Sequence, residues 1–490
     1  MPTSQQPTPQ QDAPERPSHI LDAPEAVLST MNKDGSRKWM YPKLSKGKMY
    51  RRRKIVGWIL IALFFGLPIV HINGEPALFL DFVHRRFAIF GQIFYATDTL
   101  LLMLLGLTLV LAVAWATALF GRVWCGWGCP QTVYMEFIFR PIERLIEGSE
   151  SQRRKRDEQG WTGERIRKTA LKLFLYTIIA AMLSHSFVAY FVSWDVLLDW
   201  MIVSPGKNWG FFTMMAFTTA LIVFDFAYFR EQMCTIACPY ARLQSVLMDR
   251  DSLIVSYDPS RGEPRGRRTK KAREQEAQGI TLNLGDCIDC GACVRTCPTG
   301  IDIRDGLQLE CIGCTQCIDA CDAIMIGVNK PTGLIRYTSE NKVEREPSRT
   351  LRPRVVIYTG LLLLFASTLL YLATHTVSVD VDMIRATGEP FAMLPQDQVS
   401  NHFKLRAQNR TRQTRHIHVE VLEPAGAEIK AQGGAKFSLE PGEMKRIDLW
   451  IVTPTKTFEQ HEIKAKINVI NDLGESHVID YELLGPVSAK

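Results

Sequence analysis

The chain has 490 residues, room for two to four domains at roughly 100–200 residues each. An apolar share of 46%, a charged share of 22% and a net charge of +7 exclude disorder throughout; with Lys and Arg bunched beside apolar runs, they favour a lipid surface over nucleic acid as partner. Twelve cysteines are too sparse for a disulfide scaffold, so their positions carry the information.

In chain order, residues 1–45 are rich in Pro, Gln, Ser and charge and are expected to be a mostly disordered cytoplasmic tail. Five apolar runs follow, each about 18 residues or more and so able to cross a ~30 Å hydrocarbon core as a helix. They are Ile55–Ile72, Thr99–Phe120, Leu171–Trp194, Trp209–Phe229 and Val355–Ala373. The first is not expected to be a cleaved signal peptide, since a long polar segment precedes it and no small-residue cleavage site follows. The stretch Leu78–Thr97 is apolar but carries Asp81, His84, Arg85 and Arg86, and reads as interfacial or re-entrant.

The Lys/Arg bias sets an orientation. Lys46, Lys48, Arg51, Arg52, Arg53 and Lys54 precede the first run; Arg122, Arg140, Arg144 and Arg153–Arg156 follow the second. Arg261, Arg265, Arg267, Arg268, Lys270 and Lys271 follow the fourth, whereas the link Asp195–Asn208 holds only Lys207. The N-terminus is thus expected inside and, after five crossings, the C-terminus outside. The partition is a tail at 1–45, spans one to four at 46–249, a cytoplasmic insert at 250–354, span five at 355–375 and a periplasmic module at 376–490.

The insert contains Cys287-x2-Cys290-x2-Cys293-x3-Cys297-Pro298, then Cys311-x2-Cys314-x2-Cys317-x3-Cys321. This is the spacing of bacterial ferredoxins with two [4Fe-4S] clusters, in which the fourth cysteine of each run ligates the other cluster. Cys287, Cys290, Cys293 and Cys321 are the expected ligands of one cluster; Cys311, Cys314, Cys317 and Cys297 are those of the other. Gly291 and Gly313 let the backbone approach the sulfides. Structural zinc is the competing reading, but it uses two separated C-x2-C pairs rather than two runs of four. Asp322 stands where proline usually follows the last cysteine; proline there shapes a turn and is no ligand. Eight such thiols belong in a reducing compartment.

The other four cysteines form two C-x3-C-P motifs, Cys125–Pro130 after the second run and Cys234–Pro239 after the fourth. Each is followed by an amphipathic segment, Gln131–Ile146 and Tyr240–Met248, an internal repeat of two helices. Proline suits the first helical position, so Cys129 and Cys238 are expected near helix N-termini, where the dipole favours thiolate. Four thiolates there suit Cu(I), zinc or a further iron–sulfur centre; spacing does not choose among them, and inert buried cysteine is the plain alternative.

His71, His185 and His375 all fall in the outer halves of their spans. They are candidates for haem, copper or the flank of a quinone, set against ordinary packed histidine. Asp225, near the inner end of the fourth run, reads the same way. His416-x-His418 shares one strand face and is a weaker metal candidate. Residues 376–490 hold no cysteine and alternate over His416–Val421, Arg446–Val452 and His461–Ile470 between Pro, Gly and Asn turns. That pattern predicts a β-sandwich.

Gly121–Pro130 (G-R-V-W-C-G-W-G-C-P), Cys234–Tyr240 (C-T-I-A-C-P-Y) and the double run Cys287–Cys321, with five spans and a C-terminal Ig-like module, resemble the cytochrome c oxidase accessory protein family CcoG/FixG/RdxA. The likeness runs from about Lys46 to the end. The W-C-x3-C-P element is shared with membrane polyferredoxins of the nitrate- and nitrous-oxide-reductase systems; the Ig-like tail narrows it. The resemblance implies a multi-domain bacterial inner-membrane protein with a five-helix transmembrane bundle, an α+β ferredoxin insert with two [4Fe-4S] clusters, and an Ig-like β-sandwich. It further implies reduction of Cu(II) to Cu(I) for assembly of cbb3-type oxidase, with copper as substrate and copper chaperones and the oxidase assembly machinery as partners. Cys125, Cys129, Cys234 and Cys238 are the residues on which that copper chemistry is expected. A quinol-linked relay to a periplasmic reductase and a non-redox assembly scaffold are the competing functions; the electron donor is not legible.

Overall fold

The computed structural model describes residues 29–32, 36–82, 86–95, 99–203, 206–267, 284–375, 377–431 and 434–486. Most of the tail, His84, Arg85, Arg268, Lys270, Lys271 and Lys490 therefore lie outside the described residues. The chain divides into two compact units, Met1–Leu369 and Leu370–Lys490, with the boundary inside the helix Pro353–Thr374.

Among the described residues, four helices are long and apolar enough to cross a membrane: Thr99–Phe120, Gly163–Val192, Trp209–Phe229 and Pro353–Thr374. The first expected span differs. Its helix runs Lys48–Gly66, and its opening turns carry Lys48, Arg51, Arg52, Arg53 and Lys54. The apolar part, from Ile55 to Gly66, is about 18 Å long at 1.5 Å per residue. Pro68 follows, and His71–Ile72 (β1) pairs with Glu75–Pro76 (β2) instead of extending the helix.

The stretch after it, expected to be interfacial or re-entrant, is a three-stranded antiparallel sheet. Its strands are Leu78–Asp81 (β3), Arg86–Ile89 (β4) and Gln92–Tyr95 (β5), in the order β3-β4-β5. Phe90 and Gly91 both have positive φ, 46° and 82°, the two-residue turn that matches strand twist. Phe82 stacks on Phe191 with ring centroids 5.8 Å apart, fixing this sheet to the end of Gly163–Val192.

The helices hold together through a few polar ties in an apolar setting. The Tyr190 hydroxyl donates to the Phe64 carbonyl at 2.7 Å, and Tyr176 to that of Phe139 at 3.0 Å. Phe139 stacks on Phe226 at 4.2 Å. The Trp115 indole donates to Thr359 at 2.9 Å, joining Thr99–Phe120 to Pro353–Thr374.

The cysteine-rich insert is built on one antiparallel pair, Ile254–Tyr257 (β6) with Ile335–Thr338 (β7), and two helices, Ala292–Thr296 and Gln316–Gly327. Part of the N-terminal tail is ordered against it. The Lys43 amide donates to the Arg295 carbonyl at 2.9 Å, and Thr296 donates to the Lys43 carbonyl at 2.6 Å. Ser29 reaches the Thr299 carbonyl at 2.7 Å, and Gln232 bonds the Thr30 carbonyl at 3.2 Å. Composition misses this strap because its partners lie some 200–270 residues away, and a docked polar segment reads like a solvated one.

The second unit is a sandwich of nine strands. One sheet runs Glu428–Ala431 (β12), Met444–Pro454 (β14), Gln398–Asn409 (β10), Val379–Arg385 (β8), with Ala392–Leu394 (β9) also on β10. The other runs Lys436–Leu439 (β13), Arg415–Glu423 (β11), Glu462–Asn471 (β15), Ser476–Leu484 (β16). Period-two alternation places Phe403, Leu405 and Ala407 of β10 inward, against Ile417 and Val419 of β11 and Ala465, Ile467 and Val469 of β15. The alternating runs read from the sequence all fall on these strands.

Candidate iron–sulfur and thiol site

The two cysteine loops of the insert share one backbone signature. In the loop from Cys287, Asp289 and Gly291 have φ of 50° and 64°. In the loop from Cys311, Gly313 and Thr315 have φ of 64° and 59°. These are the third and fifth residues of each loop, so the same left-handed turns recur although glycine holds only one of the two positions each time. An Asp or Thr there is held against its own preference by the surrounding structure.

This repeated turn gathers the thiols around two cavities. Cys287, Cys290, Cys293 and Cys321 line one of about 350 Å³, walled by Tyr257, Ile324, Met325, Leu334 and Ile335. Cys297, Cys311, Cys314 and Cys317 line the other, also about 350 Å³, with Cys293 at its edge and Val255, Ile301, Ile303 and Ile312 as walls. Cys317 and Cys321 sit one turn apart on the helix Gln316–Gly327, yet serve different cavities. Both cavities therefore meet one face of that helix, a turn apart.

Among the described residues, no three His, Cys, Asp or Glu side chains converge on a position for a single ion. Sulfurs around one zinc at ~2.3 Å would have to converge so. A cubane takes one thiolate on each of four irons and needs thiols spread around a volume. Two groups of four thiols, each spread around its own cavity, fit two such clusters. Burial pushes Cys314 and Cys321 up to about 12 and Cys293 to about 11, so ligation must displace protons.

The C-x3-C-P motifs repeat as closely. Cys129 and Cys238 are both extended, at φ/ψ of −63°/127° and −70°/111°, and each precedes a helix that starts at proline. The Cys129 amide donates to the Trp124 carbonyl at 2.9 Å and the Cys238 amide to that of Met233 at 2.8 Å, the same five-residue wide turn. The halves are cross-clasped. The Cys125 thiol donates to Gln244 at 3.3 Å, and Gln244 donates to the Gly121 carbonyl at 2.8 Å. Gln131 donates to Asp225 and to the Arg230 carbonyl, both at 3.1 Å, which gives Asp225 a structural role at the foot of its span.

These four thiols are close enough to influence one another, and burial opposes the thiolate form of Cys125, Cys129 and Cys234. Burial pushes Cys125 up to about 12, with Cys129, Cys238 and Cys311 adding to it. Cys129 is also raised by burial, which outweighs the amides of Thr132 and Gln131 that favour its ionised form. Burial raises Cys234 further, and Cys129, Cys125 and Cys238 add to it. The expected thiolate at a helix N-terminus is thus overturned for Cys129: desolvation among neighbouring thiols outweighs the helix that starts at Pro130.

The first motif sits directly on the second cysteine loop. A Cβ on Gly126 would lie 2.5 Å from the Gly313 carbonyl oxygen and 2.9 Å from that of Ile312. The Trp127 indole donates to the Tyr337 hydroxyl at 2.8 Å, which donates to the Gly313 carbonyl at 3.3 Å. Arg122 donates to the carbonyls of Leu309, Cys311 (3.2 Å) and Ala241 (3.0 Å). Arg53, fully buried, donates from Nε to the Gly126 carbonyl at 2.8 Å.

Beside Cys234 lies a cavity of about 320 Å³ bounded by Thr132, Arg140, Glu231, Pro298 and Ile312. Its base is a buried ion network. Arg230 binds Glu143 twice, at 2.7 and 3.1 Å, Arg153 binds Glu143 at 2.8 Å, and Arg140 joins Glu136 to Glu231. The Arg230 and Arg153 guanidiniums hold the Glu143 carboxyl well below its usual range despite burial.

The three histidines of the apolar runs each bond nearby backbone. His71 bonds the Ile69 carbonyl at 2.9 Å, His185 that of Ala181 at 2.7 Å and His375 that of Tyr371 at 2.9 Å. Each is tied to the backbone of its own segment; His71 and His375 are exposed and His185 is half-buried. His418 faces the Ala435 carbonyl at 3.4 Å while His416 is exposed. Sequence reasoning missed Arg53, Arg122, Trp127 and Tyr337. The one local signal was the glycine between Cys125 and Trp127, which permits a backbone to approach.

Three family profiles match the chain: "4Fe-4S dicluster domain" over residues 229–340, "4Fe-4S binding domain" over 102–148, and "IG-like fold at C-terminal of FixG, putative oxidoreductase" over 369–486. Nitrogen fixation protein FixG of Rhizobium meliloti is 30% identical over 86% of this chain and 86% of its own length. Protein RdxA of Cereibacter sphaeroides is 34% identical over 74% of this chain and 76% of its own, and Protein RdxB of the same organism 31% over 84% and 87%. Thiols grouped around two cavities beside long apolar helices, and likeness to these relatives over most of the chain, agree: the chain belongs to the FixG/RdxA family of iron–sulfur electron-transfer proteins.

Proposed function

We propose that the chain reduces Cu(II) to Cu(I) at the thiols of Cys125, Cys129, Cys234 and Cys238, in support of cbb3-type cytochrome oxidase assembly. Cys287, Cys290, Cys293 and Cys321 hold one [4Fe-4S] cluster in this reading; Cys311, Cys314, Cys317 and Cys297 hold the other. When bound, the clusters supply electrons singly. The observation that carries the reading is the contact of Gly126 with Gly313, which sets the thiol loop on the second cluster loop without an intervening side chain.

Each Cu(II) takes one electron and leaves as Cu(I). Soft thiolates favour the cuprous product, and two sulfurs suffice for Cu(I), so the four need not converge as a ready-made cage. The thiols release protons on binding the metal, which makes capture more favourable as pH rises. Handover to a copper chaperone follows the same logic, since only a competing thiol donor set draws Cu(I) from sulfur. In this proposal the protein lies in a bacterial inner membrane with five crossings, the ferredoxin insert inside and the sandwich outside.

The test is anaerobic re-oxidation of dithionite-reduced protein by Cu(II) or by a quinone. Cu(II) should re-oxidise wild type, and Cys125→Ser with Cys129→Ser should abolish this at unchanged iron content. Undiminished copper reduction in that variant moves the site elsewhere. Re-oxidation by quinone alone refutes the reading.

A further inference from the structure

The two cavities differ in the charge around them. Beside the Cys287 group, Arg304 is matched twice, to Asp289 at 2.6 Å and to Asp302 at 2.5 Å. Asp322 follows Cys321 and adds negative charge there. Arg295, which donates to the Cys290 carbonyl at 2.9 Å, is exposed and screened by water.

The Cys311 group has the opposite setting. Arg122 is buried and spends its bonds on neutral carbonyls. Arg53 is 0% exposed, and its Nη1 and Nη2 have no hydrogen-bond partner among the described residues. Among those residues, neither arginine has a carboxylate within ion-pair distance. Glu310, whose charge is felt at Cys311, is only half-buried. Arg53 is held against this group by its bond to Gly126, whose Cα abuts Gly313, and its charge is felt at Cys314.

A guanidinium with two free donors, buried and unpaired, is costly unless something anionic faces it. Net charge and hydrogen bonds to sulfur set the reduction potential of an iron–sulfur cluster. We propose that Arg53, with Arg122, raises the potential of the cluster held by the Cys311 group above that of the cluster held by the Cys287 group. Electrons are thereby ordered from the Cys287 side, through the Cys311 side, to the C-x3-C-P thiols. Arg53 is a positioning residue for this order; it acts through the cluster and touches no substrate. The inference rests on the presence of two clusters and not on the identity of the acceptor.

The experiment is an EPR-monitored redox titration of full-length, anaerobically purified protein, with iron counted in every sample. Cys290→Ser, which disturbs the Cys287 group, assigns the two signals. Arg53→Met should make the Cys311-side cluster at least tenfold harder to reduce at a fixed ambient potential, about 59 mV for one electron. Arg53→Lys, which keeps the charge but not the fork, should lie between, and Asp289→Asn should ease reduction of the Cys287-side cluster only. A merely structural arginine would lower stability or iron content and leave the potentials in place. Unchanged potentials in both Arg53 variants, or equal shifts of both clusters, overturn the inference. If Arg53→Met loses iron, Arg53→Lys and Asp289→Asn decide it. Wild type with far fewer than about eight irons, or with zinc instead, would refute the two-cluster reading itself.

Discussion

Gly126 and Gly313 meet backbone to backbone: a Cβ on the first would stand 2.5 Å from the carbonyl oxygen of the second. One belongs to a loop at the end of a long apolar helix, the other to a cysteine loop of the ferredoxin insert. Gly126→Ala should therefore separate the thiol loop from the second cluster loop. Neither partner atom is a flexible side chain, so the strain cannot be relieved locally, and about 1–3 kcal/mol of stability should be lost. The loss should appear in thermal unfolding, with slower re-oxidation of the protein by Cu(II).

Cys297→Ser tests the crossing of ligands between the two loops. Its thiol lines the cavity of Cys311, Cys314 and Cys317. EPR of the variant should show that cluster altered or lost while the Cys287-side signal persists, and iron should fall from about eight toward four per chain. Loss of the Cys287-side signal alone would refute the assignment.

Glu143→Ala should be among the most destabilising single changes, by about 3–5 kcal/mol, because Arg153 would lose its carboxylate partner in a buried setting and Arg230 would keep only Glu231. The pH dependence follows from the same pair of charges. The folded protein holds the Glu143 carboxyl below its unfolded value, so its contribution is complete above the usual carboxylate pKa of about 4.3 and is lost as pH falls toward the lower folded value. Denaturant midpoints of wild type should fall on acidification below about pH 4.3, and Glu143→Ala should show less of that fall.

Asp319 caps a helix from across the fold. Its carboxylate accepts from the amides of Met49 at 3.1 Å and Tyr50 at 2.7 Å, in the first turn of Lys48–Gly66. Asp319→Ala should cost about 0.5–2 kcal/mol and should quicken proteolysis within the strap of residues 36–45. Cleavage at the wild-type rate would show that the cap does not hold the strap.

Alkaline phosphatase fused after residue 490 should be active and fused near residue 340 inactive, if the chain crosses the membrane five times. The expectation rests on the Lys/Arg bias, with the short helix Lys48–Gly66 counted as a crossing. The reverse pattern would remove that helix from the count; activity at both positions would instead remove Pro353–Thr374 as a crossing.

The identities of the two cysteine sets, the four long apolar helices and the sandwich were legible in the sequence because each depends on local spacing. Three-residue steps gather thiols around a loop, a long apolar run demands a helix, and period-two alternation demands a strand with one buried face. The fate of Leu78–Tyr95 was less so, since a short apolar run with charges suits a re-entrant helix and a small sheet equally. What only the tertiary structure decided are relations between distant segments. Arg53 read as one more charge at the membrane surface, yet it is wholly buried with its Nε on Gly126. Residues 36–45 read as a free tail, yet Lys43 and Ser45 lie on the ferredoxin helices. Cys129 was expected as a thiolate, and burial among its neighbours reverses that. A side chain's charge and contacts depend on what the fold packs against it, and no window of neighbouring residues contains that information.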